Sequence, residues 1–213
     1  MPGMQSSEAV GLLGRQADDL YGRQVGVVVG FSLKTNGDVE SVGLDQGSGS
    51  LAEVKASRLL LNEQALVVIP AWKADVARVT GETAVLRKRI SALMELERDP
   101  AGAASGQYRQ LRAQYEARVA KTEESSENIL QAMKGRMEEI DQQDETIAKF
   151  LVNVNIQFRS GEISEASFGA MSDRCTAMKA RNVKEREELT TAFSALARKD
   201  EGPTLELQVP VSG

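Results

Sequence analysis

Apolar residues in the second third of the chain recur at alternating steps of four and three. Trp72, Val76, Val79, Thr83, Leu86, Ile90 and Leu93 follow this rule, with Thr83 the polar exception. That spacing is a heptad seam and predicts a helix over 72–98. Asp99-Pro100-Ala101-Gly102 interrupts it, since Pro and Gly punctuate helical runs. The seam resumes at Tyr108, Leu111 and Tyr115. It then runs through Thr122, Ser126, Ile129, Met133, Arg136, Ile140, Asp144, Ile147, Leu151, Val154 and Phe158. A helix over 105–159 is predicted, about 80 Å long at a rise of 1.5 Å per residue. Such a helix does not stand alone with an exposed seam, so it must pack on something.

Arg159-Ser160-Gly161-Glu162 reads as a tight reversal, and Ser164 as an N-cap with Ser167 at the third helical position. Phe168, Met171, Cys175, Met178, Asn182, Leu189, Phe193 and Leu196 line a return helix over 164–199, making an antiparallel hairpin. The tail, 200–213, changes grammar again. Leu205, Leu207, Val209 and Val211 alternate with polar residues or Pro, a period-2 strand with no neighbouring strand in the helical region. Such a strand suits addition to the edge of a partner's sheet; the alternatives are a disordered terminus or a strand that closes on its own β domain.

Residues 8–71 have a different texture. Val25-Gly26-Val27-Val28-Val29-Gly30-Phe31 is β-branched and punctuated by glycine. Asn36-Gly37 is a hairpin signal of the type I′ kind. Leu51–Val54, Leu59–Leu61 and Leu66–Ile69 are further short apolar runs. Five or six short strands in this span predict a small antiparallel β-barrel, so the fold class is α+β and multidomain: a barrel over 8–71, coiled-coil helices over 72–199, and the tail.

Composition narrows the chemistry. The 213 residues include no His and one Cys, Cys175. That removes Ser-His-Asp and Cys-His mechanisms, His-ligated zinc and intramolecular disulfides. The spacing Gly22-x3-Gly26-x3-Gly30 fits neither the dinucleotide fingerprint nor the P-loop. Glu138-Glu139-Ile140-Asp141-Gln142-Gln143-Asp144-Glu145 lacks the spacing of a calcium loop and reads as a solvated acidic face. No catalytic residue, cofactor site or metal site is expected, and no enzyme. Net charge is −5 overall. Residues 1–70 carry 5 basic and 8 acidic side chains, and 73–199 carry 21 and 20, so nucleic-acid binding would rest on a local patch such as Arg87-Lys88-Arg89. Met1–Glu8 lacks the basic start and apolar core of a signal peptide, and a single unpaired thiol favours a reducing, cytosolic setting.

The stretch Tyr21–Gly30, the hairpin to Ser41-Val42-Gly43-Leu44-Asp45 and the closing Val68-Ile69-Pro70-Ala71-Trp72 resemble a PRC-barrel. The coiled coil that follows resembles the archaeal CdvA cell-division family. Val154-Asn155-Ile156-Gln157-Phe158-Arg159-Ser160-Gly161-Glu162-Ile163-Ser164-Glu165-Ala166-Ser167-Phe168 is especially similar to the helix-turn-helix of thaumarchaeal members. The resemblance covers about residues 11 to 199.

It implies a non-enzymatic cytoskeletal scaffold of the ESCRT-III-based division machinery, working at the division site on the inner face of the cell membrane. Implied partners are further copies of the chain, as homodimer and filament, and the ESCRT-III homologue CdvB. Leu205, Leu207 and Val209 stand where a partner-binding tail motif would fall. The expected coiled-coil interface is Val76, Val79, Leu86, Ile90, Ile129, Met133, Ile140, Ile147, Leu151, Val154, Phe158 and Phe168. Membrane contact is expected to be indirect or peripheral, and DNA contact weak. The rival reading is an RNA or ribosome-maturation adaptor, because PRC-like barrels also occur there; the acidic barrel region and scarce aromatics argue against RNA stacking.

Overall fold

The computed structural model describes residues 4, 6–47, 49–61, 66–98 and 106–198. The chain divides into two compact units, one ending at Ala74 and one beginning at Asp75.

In the first unit a short helix, α1 (Ser6–Val10), precedes six strands: β1 (Gln16–Asp19), β2 (Gln24–Leu33), β3 (Val39–Asp45), β4 (Leu51–Lys55), β5 (Leu59–Leu61) and β6 (Leu66–Val68). They form one sheet in the order β4-β3-β2-β1-β6-β5, antiparallel except where β1 runs parallel to β6. Among the described residues β4 and β5 end the sheet and are not paired with each other, so the expected barrel is not closed. Its core is aliphatic: Leu12, Ala17, Val28, Val39, Val42, Leu44, Leu66 and Val68 pack together beneath α1 residue Ala9.

Two features of this unit depart from the sequence reading. The β2–β3 connection is a hairpin, but not a type I′ turn. The Gly37 N–H donates to the Lys34 carbonyl at 2.9 Å, so Thr35 and Asn36 are the central residues, and Gly37 follows at φ 85°. That is a type I turn closed by a left-handed glycine. β1 carried no apolar alternation, being Gln16-Ala17-Asp18-Asp19, yet it lies inside the sheet between β2 and β6. Its strand character comes from its neighbours' hydrogen bonds, and only Ala17 is fully buried.

Pro70 ends the sheet and starts α2 (Ala71–Arg98), its carbonyl accepting from the Lys73 and Ala74 N–H groups. Ala74 packs on Leu20, Val67 and Ile69. Trp72 is buried at the start of the helix.

The second unit continues α2 and adds α3 (Gly106–Arg159) and α4 (Glu165–Ala197). Ala, Glu, Lys, Arg, Gln and Met dominate these helices, which is the composition of strong helix formers. Between α3 and α4 the chain reverses in five residues. Gly161 takes φ 77°, the Glu162 N–H donates to the Gln157 carbonyl and the Gly161 N–H to that of Phe158. These bonds use carbonyls that the end of α3 leaves free. Ser164 then caps α4, its hydroxyl accepting from the Ser167 N–H at 3.2 Å. Gly161→Ala is expected to cost about 1 kcal/mol, because a Cβ disfavours the left-handed conformation. Thermal unfolding followed by circular dichroism reads this as a lower Tm.

Candidate functional site

The helical unit is organised around α3, which is long enough to serve two partners in turn. Its N-terminal half pairs with α2. Thr83 and Thr122 hydroxyls lie 3.2 Å apart, Arg118 reaches Glu82 at 2.9 Å, Arg112 reaches Glu97 at 2.6 Å, and the Arg89 guanidinium lies 5.6 Å from the Tyr115 ring centre. Rising numbers on α2 meet falling numbers on α3, so α2 runs antiparallel to it. Val76, Val79, Leu86 and Leu93 are buried and Ile90 half-buried, as the seam predicts.

The C-terminal half of α3 pairs with α4. Ile129, Met133, Ile140, Ile147 and Val154 are buried, and Leu151, Phe158 and Phe168 are half-buried. Phe158 and Phe168 stack at 4.6 Å between ring centres, next to the turn. From α4, Cys175, Asn182, Leu189 and Ala192 complete the seam.

Polar pairs punctuate this seam. The Arg136 guanidinium donates from Nε and Nη2 to the two Glu185 carboxylate oxygens at 2.9 and 2.8 Å, and from Nη1 to Glu139 at 2.7 Å. Glu185 is 2% exposed, so this is a bidentate ion pair at the centre of the hairpin. Its hydrogen bond to Glu185 raises the Arg136 pKa; burial opposes that, and Glu139 adds to it. Asn182 donates to Asp144 at 2.7 Å, and Arg186 pairs with Asp141. On the exposed side of α3, Lys149 holds the Glu145 carboxyl below its usual range. Buried polar pairs of this kind fix register, because a slip of one turn strands a charge.

The expected interface residues are therefore brought together within one chain. The seam of α3 is filled by α2 and by α4, the latter as the expected antiparallel hairpin. Leu111, placed on the seam by spacing, is 38% exposed, and Met178 is 49% exposed. Glu185 is the seam residue that spacing alone passed over. The gap between Asn182 and Leu189 in the apolar series, opposite the polar Arg136, was its signal. Leu205, Leu207 and Val209 lie outside the described residues. No helix among the described residues is long and apolar enough to cross a membrane, and no group of three or more metal-ligating side chains occurs among them.

A β domain followed by one long helix that pairs antiparallel with two shorter ones defines a coiled-coil structural protein. Residues 71–212 match the model of the CdvA-like coiled-coil domain, and the chain belongs to that family. It is also similar to Cell division protein A of Sulfolobus acidocaldarius, 24% identical over 159 residues, covering 73% of this chain. The match spans 65% of that relative's length. No solved structure matches the chain.

Proposed function

We propose that the chain is a non-enzymatic scaffold of ESCRT-III-based cell division, which self-assembles into filaments and recruits an ESCRT-III homologue such as CdvB. The observation that carries this reading is the family match over 71–212, which takes in the helical unit and the tail. The similarity to Cell division protein A supports a role in division. The physical design agrees. A hairpin fixed in register by ion pairs is a stiff element suited to positioning other parts, and a polymer of such elements multiplies the local concentration of its tails. The tail recruits by adding a strand to a sheet edge of the partner, with Leu205, Leu207 and Val209 on one side of that strand. The protein works in the cytoplasm at the division site and meets the membrane indirectly or peripherally.

Sedimentation velocity of the full chain at tens of micromolar tests self-assembly: species much larger than a dimer are expected. Pull-down of the ESCRT-III homologue tests recruitment. Leu207→Asp is expected to weaken it about tenfold, the effect of placing a charge in an apolar strand pocket. Capture unchanged by Leu207→Asp, or a chain that stays monomeric, overturns the corresponding half of the reading.

A further inference from the structure

The seam of the α3–α4 hairpin is closed within the chain, but its two outer faces carry a second pattern. Behind the α3 seam, Val152 and Ile156 are 59% and 58% exposed, one turn apart. On the same outer face lie Glu138 and Lys149, both exposed, Lys149 pairing with Glu145 one turn away on its own helix; Lys134 instead reaches over the Phe193 ring of α4 in its own chain, 5.8 Å from the ring centre. Behind the α4 seam, Ala166 and Ala170 are exposed and Gly169 partly so, a run of small residues; Asp173, Lys184 and Glu187 follow on that face.

These two faces match each other in order. If α3 of one chain lies antiparallel along α4 of another, Glu138 meets Lys184 and Lys149 meets Asp173. In the same register Val152 falls against Gly169 and Ala170, and Ile156 against Ala166. The paired residue numbers keep a constant sum to within one residue, as contacts across an antiparallel helix pair must, and it is the sum of the Arg136–Glu185 pair inside the hairpin. Within one chain the two faces point away from each other, so these pairs form only between chains. Among the described residues, Glu138, Asp173, Lys184 and Glu187 have no ion-pair partner within the chain.

We propose that the outer face of α3 docks on the outer face of α4 of a second copy, in the register the hairpin uses internally. Large apolar side chains on one surface meet small ones on the other, which lets the helices approach closely, and two charge pairs select the register. The contact is heterologous. Each chain keeps one unused α3 face and one unused α4 face, so the contact propagates as an open row of hairpins. This inference rests on the self-assembly reading above and names its surface.

Charge reversal tests it in the full chain. Glu138→Lys and Lys184→Glu are each expected to raise the concentration needed for assembly about tenfold, since each turns an attraction into a repulsion. The double variant is expected to assemble within about threefold of the unmodified chain. Both positions are exposed, so helical circular dichroism and Tm stay unchanged. A second arm uses Ile156→Cys with Ala166→Cys in a Cys175→Ala background, in which oxidation is expected to give a ladder of covalent oligomers. A chain that assembles normally with either single reversal, a double variant no better than the singles, or the absence of a ladder overturns this contact and leaves the self-assembly reading standing. An unmodified chain that never assembles overturns both.

Discussion

Arg136→Met is expected to destabilise the helical unit by about 3 kcal/mol at pH 7, the largest effect of any single change in the hairpin seam. It removes the guanidinium that makes a two-point contact with a carboxylate 2% exposed, and deleting one partner of a buried ion pair is strongly destabilising. Met fills a similar volume, so lost packing contributes little. The penalty depends on pH with a definite sign. Without Arg136, burial raises the folded-state pKa of Glu185 above its unfolded value. The folded variant then binds a proton more tightly than the unfolded chain, so its deficit shrinks as pH falls from 7 towards 5. Chemical denaturation at several pH values measures this. Arg136→Met with Glu185→Leu is expected to recover most of the loss, because apolar replacement of both partners of a buried pair is often neutral or stabilising. A pH-independent deficit, or a double variant as unstable as the single, contradicts the account of the pair.

The largest expected effect in the β unit comes from Gly26→Ala. Gly26 has φ 151°, and a Cβ there would lie 2.7 Å from the Asp45 carbonyl oxygen and 3.1 Å from the Leu44 Cβ. The clash is with the backbone and core side of the neighbouring strand, so neither can move aside without breaking the β2–β3 ladder, where Val27 pairs with Asp45 and Val28 with Leu44. A loss of about 3 kcal/mol is expected, at the severe end for overpacking. Hydrogen exchange should show it as lost protection in β2 and β3, with α4 protection unchanged. Protection in β2 retained at the level of the unmodified chain would contradict the reading of this glycine as a close-approach position.

The helices were legible in the sequence because a heptad repeat is a strong and redundant signal. The expected bounds of 72–98, 105–159 and 164–199 lie close to α2, α3 and α4, and the Ser164 cap and Gly161 reversal were readable from single residues. The antiparallel hairpin of α3 with α4 was expected as well; what periodicity could not supply was the partner of α2 and of the N-terminal half of α3. A seam says that something covers it, not whether the cover is another chain or the same one folded back. The decisive information lay in pairwise polar contacts such as Arg118 with Glu82 and Arg112 with Glu97, which join positions far apart in the sequence.

The β unit was legible only where side chains alternate. Val39 and Ser41 are buried, and then Val42 and Leu44, because irregularities in the β2–β3 register shift the inward face. β1 had no pattern to read, since its four residues hold their place by backbone pairing on both sides. The exposed α3 face behind the seam was hidden for a different reason. Val152 and Ile156 are ordinary helix residues in isolation, and they stand out only once the seam beside them is seen to be filled.

Negative-stain electron microscopy of the purified full chain, over a range of concentration and salt, tests the central claim most directly. The account predicts filaments without any partner, growing more numerous with concentration and shorter as salt screens the charge pairs. Discrete particles the size of one or two chains under every condition would contradict it.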